Sequence, residues 1–130
     1  MYKANRLESL QSGRFNIPSD EYAQRNISWG KFRIIQGVGA GSKFLFFNTH
    51  LPHRHGEAAD KNTHSIIANM LLEKKEELGA GPSIVTGDCN PFASSGATKG
   101  SFESNLAAGG IIKTRLLAWN VNGRYIYIVK

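Results

Sequence analysis

Apolar residues in this chain gather in short runs, each cut off by glycine, proline or a cluster of small polar groups. The stretch "SWGKFRIIQGVG" predicts a strand around residues 31–36, closed by the glycine-rich turn "GVGAGS". The chain resumes in "KFLFFN", a second strand, and so short a connection predicts an antiparallel hairpin. Phe44 to Phe47 are apolar at every position, which predicts burial on both faces. Upstream, "ESLQSGRFNIPSD" predicts a turn at Ser12-Gly13 and a stop at Pro18.

A polar loop, "THLPHRHGEAADKNTH", follows the second strand and gives way to a helical pattern. Ile66, Ile67, Met70, Leu71 and Leu78 fall near one face, while Glu73, Lys74, Lys75, Glu76 and Glu77 supply the solvated side. Gly79 and Gly81 stop this helix and Pro82 prevents its return. "SIVTG" is a further short, buried strand. A loop and a short helix over residues 102–108 come next, and the tail "RYIYIVK" alternates as a strand does. Apolar strands in the order strand, strand, helix, strand predict a mixed α/β layered domain.

Composition narrows this picture only modestly. A chain of 130 residues with 41% hydrophobic and 20% charged residues is one globular domain, residues 1–130, and not a disordered segment. Cys89 is the only cysteine, which excludes an internal disulfide. No apolar run reaches membrane-spanning length, and "MYKANRLESLQSGRF" shows no signal peptide. The charge of +6 suits an anionic partner or substrate.

The candidate chemistry sits where two apolar runs end. "FNTHLPH" (47–53) and "SIVTGDCNP" (83–91) each break from a strand into small polar groups. Groups just beyond a buried strand are held stiffly, which a site made of fixed polar groups requires. Asn48 and His50 are two apart and share a side of the strand if it continues that far; Asp88 and Asn90 repeat that spacing. Together they supply an anion, two amides and an imidazole. An Asp can hold a metal or take a proton from water, and Asn and His can donate to a phosphoryl oxygen as charge develops on it.

At these residues the chain resembles the endonuclease/exonuclease/phosphatase (DNase I-like) superfamily, whose members carry an N-T-H-L strand end and a later G-D-x-N strand end. Here these are "FLFFNTHL" and "SIVTGDCNPF". "YKANRLESLQSGRF" resembles the family's strand-turn-strand passage, "RNISWGKFRI" the strand before N-T-H-L, and "GSFESNLAAGGIIKT" the helix after G-D-x-N. The resemblance covers residues 2–114 and implies a DNase I-like β-sandwich flanked by helices. It also implies hydrolysis of phosphodiesters or phosphomonoesters by activated water, assisted by Mg²⁺, with Mn²⁺ as the alternative ion. Under it, His50 contacts the scissile phosphate, Asp88 orients or deprotonates water, Asn90 holds a phosphate oxygen and Asn48 braces the edge. His53 and His55 become loop residues near the substrate entrance. Nucleic acid, phospholipid and small phosphates are all substrates within such a superfamily.

The chain also departs from that pattern. The family's N-terminal Asn and metal-binding Glu segments and its S-D-H ending are missing, and "GRYIYIVK" lacks the Asp usual in that strand. The resemblance therefore implies a partial domain, with metal ligands absent and a partner chain as one way to complete it. The alternative is a catalytically incomplete relative that binds RNA or another anionic partner. Three lesser readings carry less weight. A zinc site at His50, His53 and His55 fails the H-x-H-x-D order, since Glu57 stands where the acid belongs. Gly37, Gly39 and Gly41 imitate a phosphate loop but lie between two strands. Cys89, beside Asp88, is a poor nucleophile because the carboxylate disfavours thiolate.

Overall fold

A computed structural model describes residues 4–19, 23–52, 57–79, 81–88, 102, 104–110 and 124–128. Its strands are β1 (Leu7–Ile17), β2 (Arg25–Ile34), β3 (Lys43–His50), β4 (Ser83–Asp88) and β5 (Arg124–Ile128), with helix α1 (Glu57–Glu77) between β3 and β4. They form one mixed sheet in the order β1-β2-β3-β4-β5. β3 and β4 run parallel and the other neighbours are antiparallel. The parallel pair is explained by α1, which returns the chain to the end of the sheet where β3 began. This is the α/β architecture expected from the sequence.

The β2–β3 hairpin forms as predicted, turning through Gly37, Gly39 and Gly41 at φ of 91°, 82° and 93°. β2 is longer than the hydrophobic pattern indicates and coincides with "RNISWGKFRI". The expected turn at Ser12-Gly13 is replaced by the middle of a continuous β1, where Ser12 pairs with Gly30 and Gly13 with Trp29. The reason is steric. A Cβ on Gly13 would lie 2.9 Å from the Trp29 ring, so the glycine makes room for an indole across the strands instead of bending the chain. The irregularity is a bulge between Ser9 and Gln11.

Helix α1 begins at Glu57, so residues 57–64, expected in the polar loop, are helical. His64, Ile67, Ala68 and Leu71 form its buried stripe, spaced as one helical face requires. A buried histidine opens that stripe, and its polarity concealed the periodicity. Ile66, expected on the core face, is 44% exposed. Lys74, expected on the solvated face, is half-buried, with Nζ 5.7 Å from the centroids of both Phe15 and Trp29. Gly79 ends the helix at φ 93°, and Lys31 Nζ donates to the Leu78 carbonyl at 2.8 Å.

Burial divides the sheet into two faces. Ile27, Leu45, Phe47 and Val85 pack with α1 and with Phe102 and Leu106 of the short helical segment 104–108 and its approach. The alternate residues Phe32, Phe44, Phe46 and Ile84 are only partly buried. Burial on both faces of the Phe44–Phe47 run is therefore not observed: Leu45 and Phe47 are buried, Phe44 and Phe46 half-buried. Among the described residues no helix or further strand is layered on this second face. Phe32 and Phe44 stack there at 5.5 Å, and a shallow groove of about 280 Å³ runs along Ser12, Ser28, Gly30, Phe32 and Phe46. Among the described residues no helix is long and apolar enough to cross a membrane.

Candidate active site

The ends of β3 and β4 lie side by side. In the parallel register Asn48 pairs with Thr86, Thr49 with Gly87 and His50 with Asp88. Two motifs far apart in sequence thus terminate at the same edge and in step. Asn48 and His50 are both exposed, while Thr49 between them is buried against the helix side. The strand's alternation fixes this: a buried Thr49 requires its two neighbours to face the other way.

Gly87 sets how closely the two strand ends approach. A Cβ there would lie 2.3 Å from the Thr49 carbonyl oxygen and 3.1 Å from its Cγ2. Any side chain would push β4 away from β3 one residue before Asp88. The glycine preceding the acid is thus explained by close backbone packing and needs no special φ.

Asn48 is oriented by its neighbour. Thr86 Oγ1 donates to Asn48 Oδ1 at 2.8 Å. With its carbonyl oxygen so engaged, the amide offers N–H donors, as an amide holding a developing negative charge must. Thr86 could not be singled out from sequence, because it reads as an ordinary strand threonine.

His50 is held by a residue that the motif reading also missed. Arg25 Nη1 lies 2.9 Å from His50 Nδ1. Arg25 opens β2 and pairs in register with Ile17 of β1. The bend between those strands is tied together by side chains. Ser19 Oγ donates to the Ile17 carbonyl at 3.2 Å and accepts from the Arg25 backbone N–H at 2.8 Å. Gln24 Nε2 donates to Ser19 Oγ at 2.7 Å and to the Arg25 carbonyl at 3.0 Å. Arg25 therefore leaves the sheet from a backbone secured at both its N–H and its C=O. The available signal was a cation at the first position of the strand before N-T-H-L.

On the helix side, His64 Nε2–H donates to the carbonyl of Pro52 at 3.1 Å, and both residues are buried. This ties the chain immediately after His50-Leu51 to α1. The histidine that begins the helix's apolar stripe thereby anchors the exit from the candidate site.

Asn90, His53 and His55 lie outside the described residues, as does Cys89. Among the described residues there is no group of three or more His, Cys, Asp or Glu that could hold a metal ion. Asp88 is the donor type that Mg²⁺ takes, but a single carboxylate is not a complete magnesium site.

No sequence family matches the chain, and no curated protein does. Solved structures do. An endonuclease/exonuclease/phosphatase family protein from Bacteroides thetaiotaomicron superposes with a TM-score of 0.68 at 22% identity, covering 98% of this chain and 53% of its own. A mannosyl-6-phosphatase from the same species gives 0.63 at 18% identity, over 98% and 55%. TDP2 from D. rerio, complexed with a single-strand DNA product, gives 0.60 at 14% identity, over 97% and 54%. The chain spans about half the length of these structures and, along nearly all of its own, has the fold of endonuclease/exonuclease/phosphatase family proteins.

Proposed function

We propose that this chain carries the strand-end part of a phosphoesterase site, in which Asp88 orients or deprotonates water while His50 and Asn48 donate to phosphoryl oxygens. The carrying observation is the parallel register that sets His50 opposite Asp88 and Asn48 opposite Thr86. Asn90, two residues beyond Asp88, is the proposed fourth member, holding a phosphate oxygen, and His53 and His55 line the entrance. A divalent ion, Mg²⁺ in this reading, would be held by Asp88 with water, substrate oxygens and further ligands, and would neutralise phosphoryl charge. What the named neighbours share, a sugar phosphatase and a protein holding a DNA product, is a phosphoryl group. The proposed substrate is thus a phosphoester, of nucleic acid, phospholipid or a small molecule, drawn to a chain of charge +6.

The test is hydrolysis of bis(4-nitrophenyl) phosphate and 4-nitrophenyl phosphate by the purified chain, with Mg²⁺ and with a chelator. Turnover that needs the ion and falls about 100-fold or more in Asp88→Asn and in His50→Ala supports the proposal. Equal rates in wild type and Asp88→Asn refute it.

The open sheet face supports a second reading. Phe32, Phe44 and Phe46 form an aromatic surface that no described element covers. In that reading residues 1–130 are one part of a two-sheet sandwich, completed by a further segment or a partner chain, and alone they bind an anionic partner such as RNA without hydrolysing it. Binding of a phosphorylated probe with no turnover, restored to turnover by the completing segment, distinguishes this reading from the first.

A further inference from the structure

We infer that Arg25 is a positioning residue for His50: its guanidinium donates to Nδ1 and so selects the imidazole tautomer that carries its proton on Nε2. The chemical consequence rests on the phosphoesterase reading; the contact itself does not. A guanidinium has five N–H donors and no acceptor, and it stays charged in proteins. At 2.9 Å from Arg25 Nη1, Nδ1 must therefore be the acceptor. A proton on Nδ1 would set donor against donor and cation against cation. The ring's proton then sits on Nε2, and that nitrogen becomes the donor.

The contact is built from the sheet outward. Ile17, opposite Arg25, is buried in the core. Ser19 spends its whole hydroxyl capacity, one donor and two acceptors, on Ile17, Gln24 and Arg25. Gln24 secures the Arg25 carbonyl. Two side chains of the β1–β2 connection thus hold the backbone of the residue that reaches His50, so the guanidinium starts from a fixed point. For a phosphoryl group, the result is an imidazole of fixed tautomer beside a permanent positive charge. Both favour the developing oxyanion without reorganisation.

The experiment is two-bond ¹H–¹⁵N correlation NMR of the chain labelled at histidine, with His53, His55 and His64 as internal references. In the wild type, His50 is expected to show an unprotonated, hydrogen-bonded Nδ1 and a protonated Nε2. Arg25→Met should move Nδ1 to the position of an unbonded ring nitrogen or mix the two tautomers, leaving His64 unchanged. Arg25→Lys, which keeps one charged donor, should restore part of the signal. A proton on wild-type Nδ1, or an unchanged His50 spectrum in Arg25→Met, overturns the inference. The wild-type spectrum alone decides should Arg25→Met fail to fold. These spectra need no turnover, so they stand apart from the phosphoesterase assay. In a chain that does turn over, Arg25→Met should lower kcat about 10–100-fold, as for groups that orient another residue.

Discussion

Gly87 and Thr86 show how individual residues prepare this site. The Gly87 backbone comes so near Thr49 that an added Cβ would fall 2.3 Å from its carbonyl oxygen. Gly87→Ala should therefore cost about 1–3 kcal/mol in urea unfolding and displace the amide resonances of His50 and Asp88. Thr86→Val, nearly the same shape, removes the donor to Asn48 Oδ1 and should cost about 1 kcal/mol. The strand-end places of three candidate residues were legible. Asn48, His50 and Asp88 stand at strand ends because apolar runs stop there, and a run and its end are visible in sequence. Arg25 and Thr86 were not legible, since their partners are cross-strand neighbours that only the register brings together.

At the level of elements, helix α1 couples the site to the core. His64 opens its buried stripe and donates to the Pro52 carbonyl. His64→Leu keeps an apolar face but leaves a buried acceptor unpaired, so equilibrium unfolding should register a loss of about 1–3 kcal/mol. Leu71→Ala, deep in the same stripe, should lose about 2–5 kcal/mol through the cavity it leaves. The helix was foreseen but begun too late, because a histidine at a core position looks polar when its carbonyl partner is twelve residues away. The false turn at Ser12-Gly13 has a comparable cause. Glycine signals a bend locally, and only Trp29 across the sheet explains it as a strand residue.

For the whole molecule, the feature that sequence misjudged is the sheet's second face. Four consecutive apolar residues, Phe44 to Phe47, predicted layers on both sides, and described elements cover only the side of Leu45 and Phe47. The isolated chain should associate with rising concentration through Phe32, Phe44 and Phe46, and Phe46→Lys should lower the association seen by sedimentation.

The central claim is that two strand ends build one phosphoryl site. Its most direct test is a double-mutant cycle of His50→Ala and Asp88→Asn on kcat/KM for phosphoester hydrolysis. One site predicts strong coupling: the double variant is scarcely slower than the worse single one, with an interaction energy of at least about 1 kcal/mol. Losses that simply multiply would mean that the residues act independently and that their shared register does not make a site.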